Sequence, residues 1–423
     1  MKEKGIKQRR RKILNSYRST VTNKKVKPIG PLQGIKVLDL TSMVSGPVAA
    51  MMLGDQGADV IKVEPTHGEQ LRFLGEQHND VTPTFYSCNR NKKSLAIDLK
   101  SAAGKQVLWK LIEGADVLLQ NFRPGAIERM GFGEEVVRKR NQRIIFVSIS
   151  GFGEKGPYAH KRVYDPIIQG LSGAADIQAN RETGRPGMFR IIIADKISAL
   201  TAAQAISSAL FHRERKGEGQ HIKLSMLDAT VAFLWPEGMS GLTFAEKEAD
   251  HKKSFSSIDL IYESSDGYIT MSTVSDKEWE GFCNAVQRLE LITDERFATA
   301  IARRQNIAVR REIAGAELSK HSTQELLQIL DAQDVPCAPV LSRQELLDHP
   351  QLVEGGTVNR QNIEGFGEVR QAIPAAQFQL TQSTLRLPAP KLGQHSLEIL
   401  VELGYSESES NELIDANVVR QAE

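Results

Sequence analysis

Cysteine is scarce in this chain. Cys88, Cys283 and Cys337 are the only three in 423 residues; they lie far apart, are odd in number and include no C-x-x-C pair. Neither a disulfide framework nor a thiolate zinc site is expected, and a reducing, cytoplasmic setting is. Long apolar runs are missing too. No stretch approaches the ~20 residues that span a bilayer, and no basic n-region leads into an apolar h-region, so neither membrane insertion nor secretion is expected.

The common nucleotide and hydrolase signatures are also missing. There is no G-x-x-x-x-G-K-[ST], no H-E-x-x-H and no G-x-S-x-G. G-x-G-x-x-G occurs literally at Gly151 to Gly156, but Pro157 and a polar stretch follow where a dinucleotide site needs a helix. After Leu40, where the fingerprint belongs, stands Thr-Ser-Met-Val-Ser-Gly-Pro-Val, with one glycine and a proline. Dinucleotide, P-loop, zinc-protease and serine-hydrolase chemistry have no support, and no tightly bound cofactor or metal is expected.

What is present begins with an asymmetry of charge. The formal net charge is +2, yet Met1 to Pro28 holds eleven Lys/Arg and one acid, Glu3. Residues 1–30 read as a basic, solvated extension without fixed structure. The folded part offers no stacking platform or basic reading helix, so no nucleic-acid partner is expected.

From Gly34 onward apolar runs alternate with helical patterns. Strands are predicted at 35–40, 59–64, 94–99, 116–122, 143–150 and 220–225, and helices at 47–56, 102–113, 134–140, 196–215 and 227–234. Such alternation predicts an α/β fold with a Rossmann-like open parallel sheet, covered by helices on both faces. The large domain is expected over 31–238. A polar stretch, 239–257, leads to a smaller α+β domain over 258–350, where Asp266-Gly267 joins two strand-like runs. The segment 335–340 is extended by Pro336 and Pro339; a second linker follows at 374–390, and 375–423 is expected to return to the large domain.

Asp195 lies at a seam. Gly187 to Asp195 reads as a short apolar β-run, followed at once by the 196–215 helix. An acid there falls at the carboxyl edge of a strand and beside a helix N-terminus, where open α/β sheets bind ligands. It is a candidate nucleophile, although local pattern alone favours an N-cap. Cations recur at predicted strand ends: Arg90, Lys92 and Lys93 before one strand, Lys100 after it, and Arg123 and Arg129 after the next. Together they suit a polyanionic ligand; singly each reads as solvated loop charge.

A set of short motifs in fixed order then carries a resemblance. They are Gly34-Ile-Lys-Val-Leu-Asp-Leu40, Gly57-Ala-Asp-Val-Ile-Lys-Val-Glu64, Asn89-Arg-Asn-Lys-Lys-Ser94, Asn121-Phe-Arg-Pro-Gly125, Ser148-Ile-Ser-Gly-Phe-Gly153, Tyr164-Asp165, Val335-Pro-Cys-Ala-Pro-Val340 and Leu392-Gly-Gln-His395. From about Leu32 to Gly404 the chain resembles the class III CoA-transferases, the CaiB/BaiF family. The resemblance implies coenzyme A or acyl-CoA as substrate, a carboxylic acid as partner, and an interlocked homodimer. It also implies that Asp195 attacks the acyl-CoA carbonyl and becomes an aspartyl-CoA thioester, with N–H groups at the start of the 196–215 helix as oxyanion donors.

Val44, Ser45, Ile97, Asp98, Lys100, Asn121, Phe122, Arg123, Arg129, Arg162, Tyr164 and Asp165 fall in segments that resemble the family's CoA-contacting ones. The family's formyl-CoA:oxalate enzymes have glutamine at the position of Val44, arginine at that of Pro65 and a glycine-rich loop where 239–257 is polar, which points away from oxalate and formate. The family also contains 2-methylacyl-CoA racemases, which place histidine where Tyr164 stands. That substitution favours acyl transfer over proton exchange, because an ordinary phenol, with a pKa near ~10, is poorly matched to proton abstraction at neutral pH.

Overall fold

The computed structural model describes residues 30–180, 182–246 and 260–422. The basic arm through residue 29 and residues 247–257 of the polar stretch lie outside them. The chain forms two units: one of residues 1–240 and 357–423, the other of 241–356.

The larger unit is built on a seven-stranded sheet. Its elements are β1 (Lys36–Asp39), α1 (Ser45–Asp55), β2 (Asp59–Glu64), α2 (Pro83–Asn89), β3 (Lys92–Ile97), α3 (Ala102–Glu113), β4 (Val117–Gln120), α4 (Ala126–Arg129), α5 (Glu134–Arg140), β5 (Ile145–Ser150), α6 (Asp165–Leu171), α7 (Ile193–Lys216), β6 (His221–Ser225) and α8 (Met226–Gly238). Six strands run parallel in the order β3-β2-β1-β4-β5-β6. Strand order reverses at β1, so the loops after β1 and β4 diverge and leave a crevice at their carboxyl ends.

Each face of the sheet carries its own core. Leu38, Leu95, Leu118 and Phe146 pack on one side with Val107, Leu111 and Ile112 of α3. Val37, Val117, Leu119 and Val147 pack on the other with α1 and α7. The latter two helices meet in a cluster that includes the small residues Ala49 and Ala50 of α1 and Ala199 and Ala202 of α7. Alanine's short side chain lets the backbones approach closely, which fixes the start of one helix against the start of the other.

The smaller unit holds an antiparallel sheet of β7 (Ile261–Glu263), β8 (Tyr268–Met271) and β9 (Cys337–Pro339). Asp266, in the turn between β7 and β8, accepts the backbone N–H and hydroxyl of Thr323. Trp279, Phe282, Phe297, Leu326 and Leu330 fill its core.

Three features differ from the sequence-based expectation. Residues 187–192 are not a strand; α7 begins at Ile193, making Asp195 its third residue. The segment pairs with no strand of the sheet: the N–H groups of Gly187 and Phe189 go to Ala175 O and Gln169 Oε1 instead, and Met188 and Ile191 are each about half exposed. Second, β3 starts at Lys92 rather than Ser94, and its cations are structural. Lys92 is fully buried on Asp39, Arg90 is paired with Asp55, and Lys93 reaches Glu398. Third, a hairpin of β10 (Val358–Ile363) and β11 (Gly367–Ala372) precedes the expected second linker. Its strands are largely polar on both faces, which removes the alternation that marks a strand.

Candidate active site

The crevice at the strand reversal is shaped by the loop 40–44. Nearly every N–H in it has an assigned acceptor. Thr41 N–H goes to Asp39 Oδ1 at 3.0 Å, Ser42 N–H to Asn121 Oδ1 at 3.0 Å, and Met43 N–H to Glu69 Oε2 at 2.8 Å. Met43 takes φ of 66°, which turns the chain sharply into α1. Gly46 follows in the first turn, where a Cβ would come within 2.5 Å of the Thr41 side chain. Only glycine permits that approach.

Beneath the loop lies a buried ion network. Lys62 Nζ donates to Thr41 O at 3.0 Å and lies 2.9 Å from Glu69 Oε1; Lys92 lies 2.8 Å from Asp39; Arg72 grips Glu64 with two nitrogens at 2.7 Å. Burial alone would raise the Asp39 carboxyl, but Lys92 and Lys62 overcome it and hold it down to about 2. Sequence reasoning missed this network. Its signal was the charge interrupting two buried strands at partnered positions, Asp39 opposite Lys62.

Asp195 meets this loop. Its Oδ1 accepts the Ser45 N–H at 3.2 Å, so the carboxylate lies at the N-terminus of α1 rather than capping its own helix, whose N-cap residue is Ile192. Its own N–H goes to Asp165 Oδ2 at 3.0 Å. Burial first, and the Asp165 charge second, push the Asp195 carboxyl up to about 6, against the opposing bonds from Ser45. At the start of α7, expected to supply oxyanion donors, three N–H groups already have acceptors. The N–H groups of Ile193, Asp195 and Lys196 are engaged by Ile191 O, Asp165 and Ile192 O.

The structure brings Ser45, Asp165 and Asp195 into direct contact, and Asn121 braces the same loop through Ser42, donating to its carbonyl at 2.8 Å. Val44, the N-cap residue of α1, is buried. The other sequence-predicted residues stand apart from this contact. Ile97 and Asp98 are tied to the C-terminal segment, where Asp98 N–H meets Val418 O. Lys100, Arg123, Arg129 and Arg162 are exposed, and their side chains form no ion pair among the described residues. Tyr164 is 59% exposed at the N-cap of α6. Phe122 and Arg123 line a separate cleft of about 650 Å³ at the carboxyl ends of β4 to β6, together with Ser150, Gly153, Lys155 and Lys223. Asp195 is not part of that lining.

Among the described residues, no cluster of His, Cys, Asp and Glu is arranged to hold a metal, and no helix is long and apolar enough to cross a membrane.

The family model for CoA-transferase family III matches residues 32–396. A succinate–glutarate CoA-transferase of Agrobacterium fabrum is 33% identical over 387 residues, 88% of this chain and 96% of that protein. A formyl-CoA:oxalate CoA-transferase of Escherichia coli is 33% identical over 410 residues, 90% of this chain and 97% of that one. The crystal structure of a CaiB/BaiF family protein from Brucella suis superposes with a TM-score of 0.77 at 29% identity, covering 89% of this chain and all of that one. The chain is an enzyme and belongs to CoA-transferase family III.

Proposed function

We propose that this enzyme moves coenzyme A from an acyl-CoA to a carboxylic acid through covalent intermediates on Asp195. The observation that carries the reading is the Asp195 carboxylate, held by the Ser45 N–H at a helix N-terminus in the crevice of the strand reversal.

The free carboxylate oxygen attacks the thioester carbonyl; a C–O bond forms, the C–S bond breaks and CoA thiolate leaves, giving a mixed anhydride. The thiolate then attacks the Asp195 carboxyl carbon and expels the donor acid, leaving an aspartyl-CoA thioester. The acceptor carboxylate attacks that thioester in turn. Thiolate released a second time takes up the acceptor's acyl group and restores the Asp195 carboxylate. At each attack on the Asp195 carbon, negative charge collects on Oδ1, the atom that the Ser45 N–H already faces.

Arg123 and Lys155 in the cleft, with the exposed Lys100, Arg129 and Arg162, suit the phosphates of CoA, and Phe122 offers an aromatic edge there. The names of both relatives include dicarboxylates, succinate and glutarate in one and oxalate in the other, which supports a short dicarboxylic acid as the partner. Exposed apolar side chains on α7 and α8, Leu200, Phe211, Phe233 and Trp235, support a homodimer. All three cysteines are free thiols, as a reducing cytoplasm would keep them.

Incubation with succinyl-CoA followed by hydroxylamine is expected to convert Asp195 into a hydroxamate, seen as a mass shift on its peptide. Asp195→Asn should yield no adduct and lose at least about a thousandfold in kcat. An active Asp195→Asn, together with an unlabelled wild type, would refute the mechanism.

A further inference from the structure

A carboxylate buried without a cation needs an explanation, because burying charge is costly unless something compensates it. Asp165 is such a group. It is 2% exposed, opens α6, and has no ion pair among the described residues. Its two oxygens are used separately. Oδ2 accepts the Asp195 N–H at 3.0 Å, and Oδ1 accepts Gln169 Nε2 at 2.5 Å.

Gln169 lies one helical turn further along α6 and is equally buried. Its Oε1 accepts the Phe189 N–H at 2.9 Å, and its amide nitrogen reaches the carbonyls of Ile191 at 3.2 Å and Phe189 at 3.4 Å. Residues 182–192 have no regular structure of their own, and this is how their end is fixed. Gly187 donates to Ala175 O and sits where a Cβ would come within 2.6 Å of Gln178 O, so the segment lies tightly down at that point as well. Two side chains at i and i+4 on one helix thus hold both the approach to α7 and the backbone of Asp195.

Holding a backbone N–H requires an acceptor but no charge. Asparagine or serine would serve. The charge acts on Asp195 instead: Asp165 Oδ2 lies 3.0 Å from the Asp195 backbone nitrogen, near enough that the two carboxylates repel while both are ionised, and the repulsion vanishes once Asp195 is acylated, because an anhydride or thioester is neutral. We propose that Asp165, oriented by Gln169, is a positioning residue whose negative charge favours the covalent forms of Asp195 over its free carboxylate. This rests on Asp195 being the nucleophile.

The surroundings leave Asp165 as the charge that acts. From α1, Asp195 faces the uncharged N–H and hydroxyl of Ser45; from α2 it faces the Cys88 thiol, which burial pushes up to about 11; Lys196, next on α7, is exposed. The raised Asp195 carboxyl, at about 6 through burial and then Asp165, agrees with this reading.

The test compares wild type, Asp165→Asn and Gln169→Leu in kcat/KM from pH 4.5 to 8.5 with succinyl-CoA, and in the fraction of enzyme trapped by hydroxylamine. The wild-type acidic limb should have its midpoint near pH 6. Asp165→Asn keeps the shape and an acceptor for the Asp195 N–H; its limb should move down by about one pH unit, with kcat at pH 8 lower by about tenfold and a smaller trapped fraction. Gln169→Leu should lower kcat and leave the limb in place. Should Asp165→Asn fold poorly, Asp165→Ser is read the same way. A purely structural role predicts lower Tm with limb and trapped fraction unmoved, and that result overturns the proposal. A wild type that is never trapped instead refutes the covalent reading itself, so the two failures are distinguishable.

Discussion

A carboxylate that attacks a thioester must be ionised and yet poorly stabilised in that state, and the surroundings of Asp195 meet both demands. The Ser45 N–H favours the charge, while burial and Asp165 oppose it. The balance has a consequence for stability. The folded carboxyl titrates near 6, above its ordinary 3.8, so between those values the folded chain keeps a proton that the unfolded chain has released. Stability therefore falls as pH rises through this window, and the deficit is complete above about 6. Asp195→Asn has no such proton. It should be more stable than wild type by about 1–2 kcal/mol at pH 8, a figure discounted for the solvent-facing side of the carboxylate, and the gap should shrink by pH 4.5. Urea unfolding at the two pH values measures it. A variant less stable than wild type at pH 8 would show that the carboxylate is not strained.

At the scale of elements, the site depends on a loop whose geometry is set from below. Lys62 joins Thr41 O to Glu69, and Glu69 in turn holds the Met43 N–H, so one buried ammonium supports the loop that presents Ser45. Lys62→Met removes that support and leaves Glu69 and part of the Asp39 charge uncompensated. A loss of about 3–5 kcal/mol in chemical unfolding is expected, with activity falling beyond what the unfolded fraction explains. A variant within 1 kcal/mol or so of wild type, with normal kcat, would show the network to be dispensable. The same elements show what the sequence could and could not reveal. β2 at Asp59–Glu64 and the helices Ala102–Glu113 and Glu134–Arg140 have the bounds expected from periodicity, because each buries one regular face or run between clear breakers. Residues 187–192 deceived because an apolar run does not itself state whether its backbone pairs with a sheet or, as here, bonds to the side chain of Gln169 and to Ala175 O. Lys92 and Lys93 read as loop charge because their partners, Asp39 and Glu398, are remote in sequence. The site was harder still. Ser45 and Asp195 are 150 positions apart, and no local pattern joins them; the seam drew attention to Asp195, but only the family resemblance drew attention to Ser45.

At the scale of the whole chain, the large unit is completed by its own C-terminal segment. β12 (Val419–Arg420) pairs antiparallel with β3 and covers an edge that would otherwise stay open, while Leu397, Ile399, Leu400 and Ile414 enter the same core as β3 and α3. His395 marks the joint. Its Nδ1 accepts the Ser94 N–H at 3.1 Å, a bond that only a neutral imidazole nitrogen can accept, and burial, with Lys93 adding to it, pushes the ring down to about 4. Unfolded histidine titrates near 6.5, so as pH falls from 6.5 to 4 the unfolded chain takes up a proton that the folded chain refuses, and stability is lost across that interval. Asp195 acts in the opposite sense over nearly the same interval, gaining stability as the pH falls below 6. Wild-type stability is the sum of the two, and single variants should separate them. His395→Asn keeps an acceptor for Ser94 and loses the titration, so its Tm should fall less than that of wild type between pH 6.5 and 4.5. Asp195→Asn should fall more. Thermal melts of the three proteins across this range decide the matter. If His395→Asn declines as steeply as wild type, the ring is already protonated in the folded state and the joint at Ser94 is held by something other than a neutral imidazole.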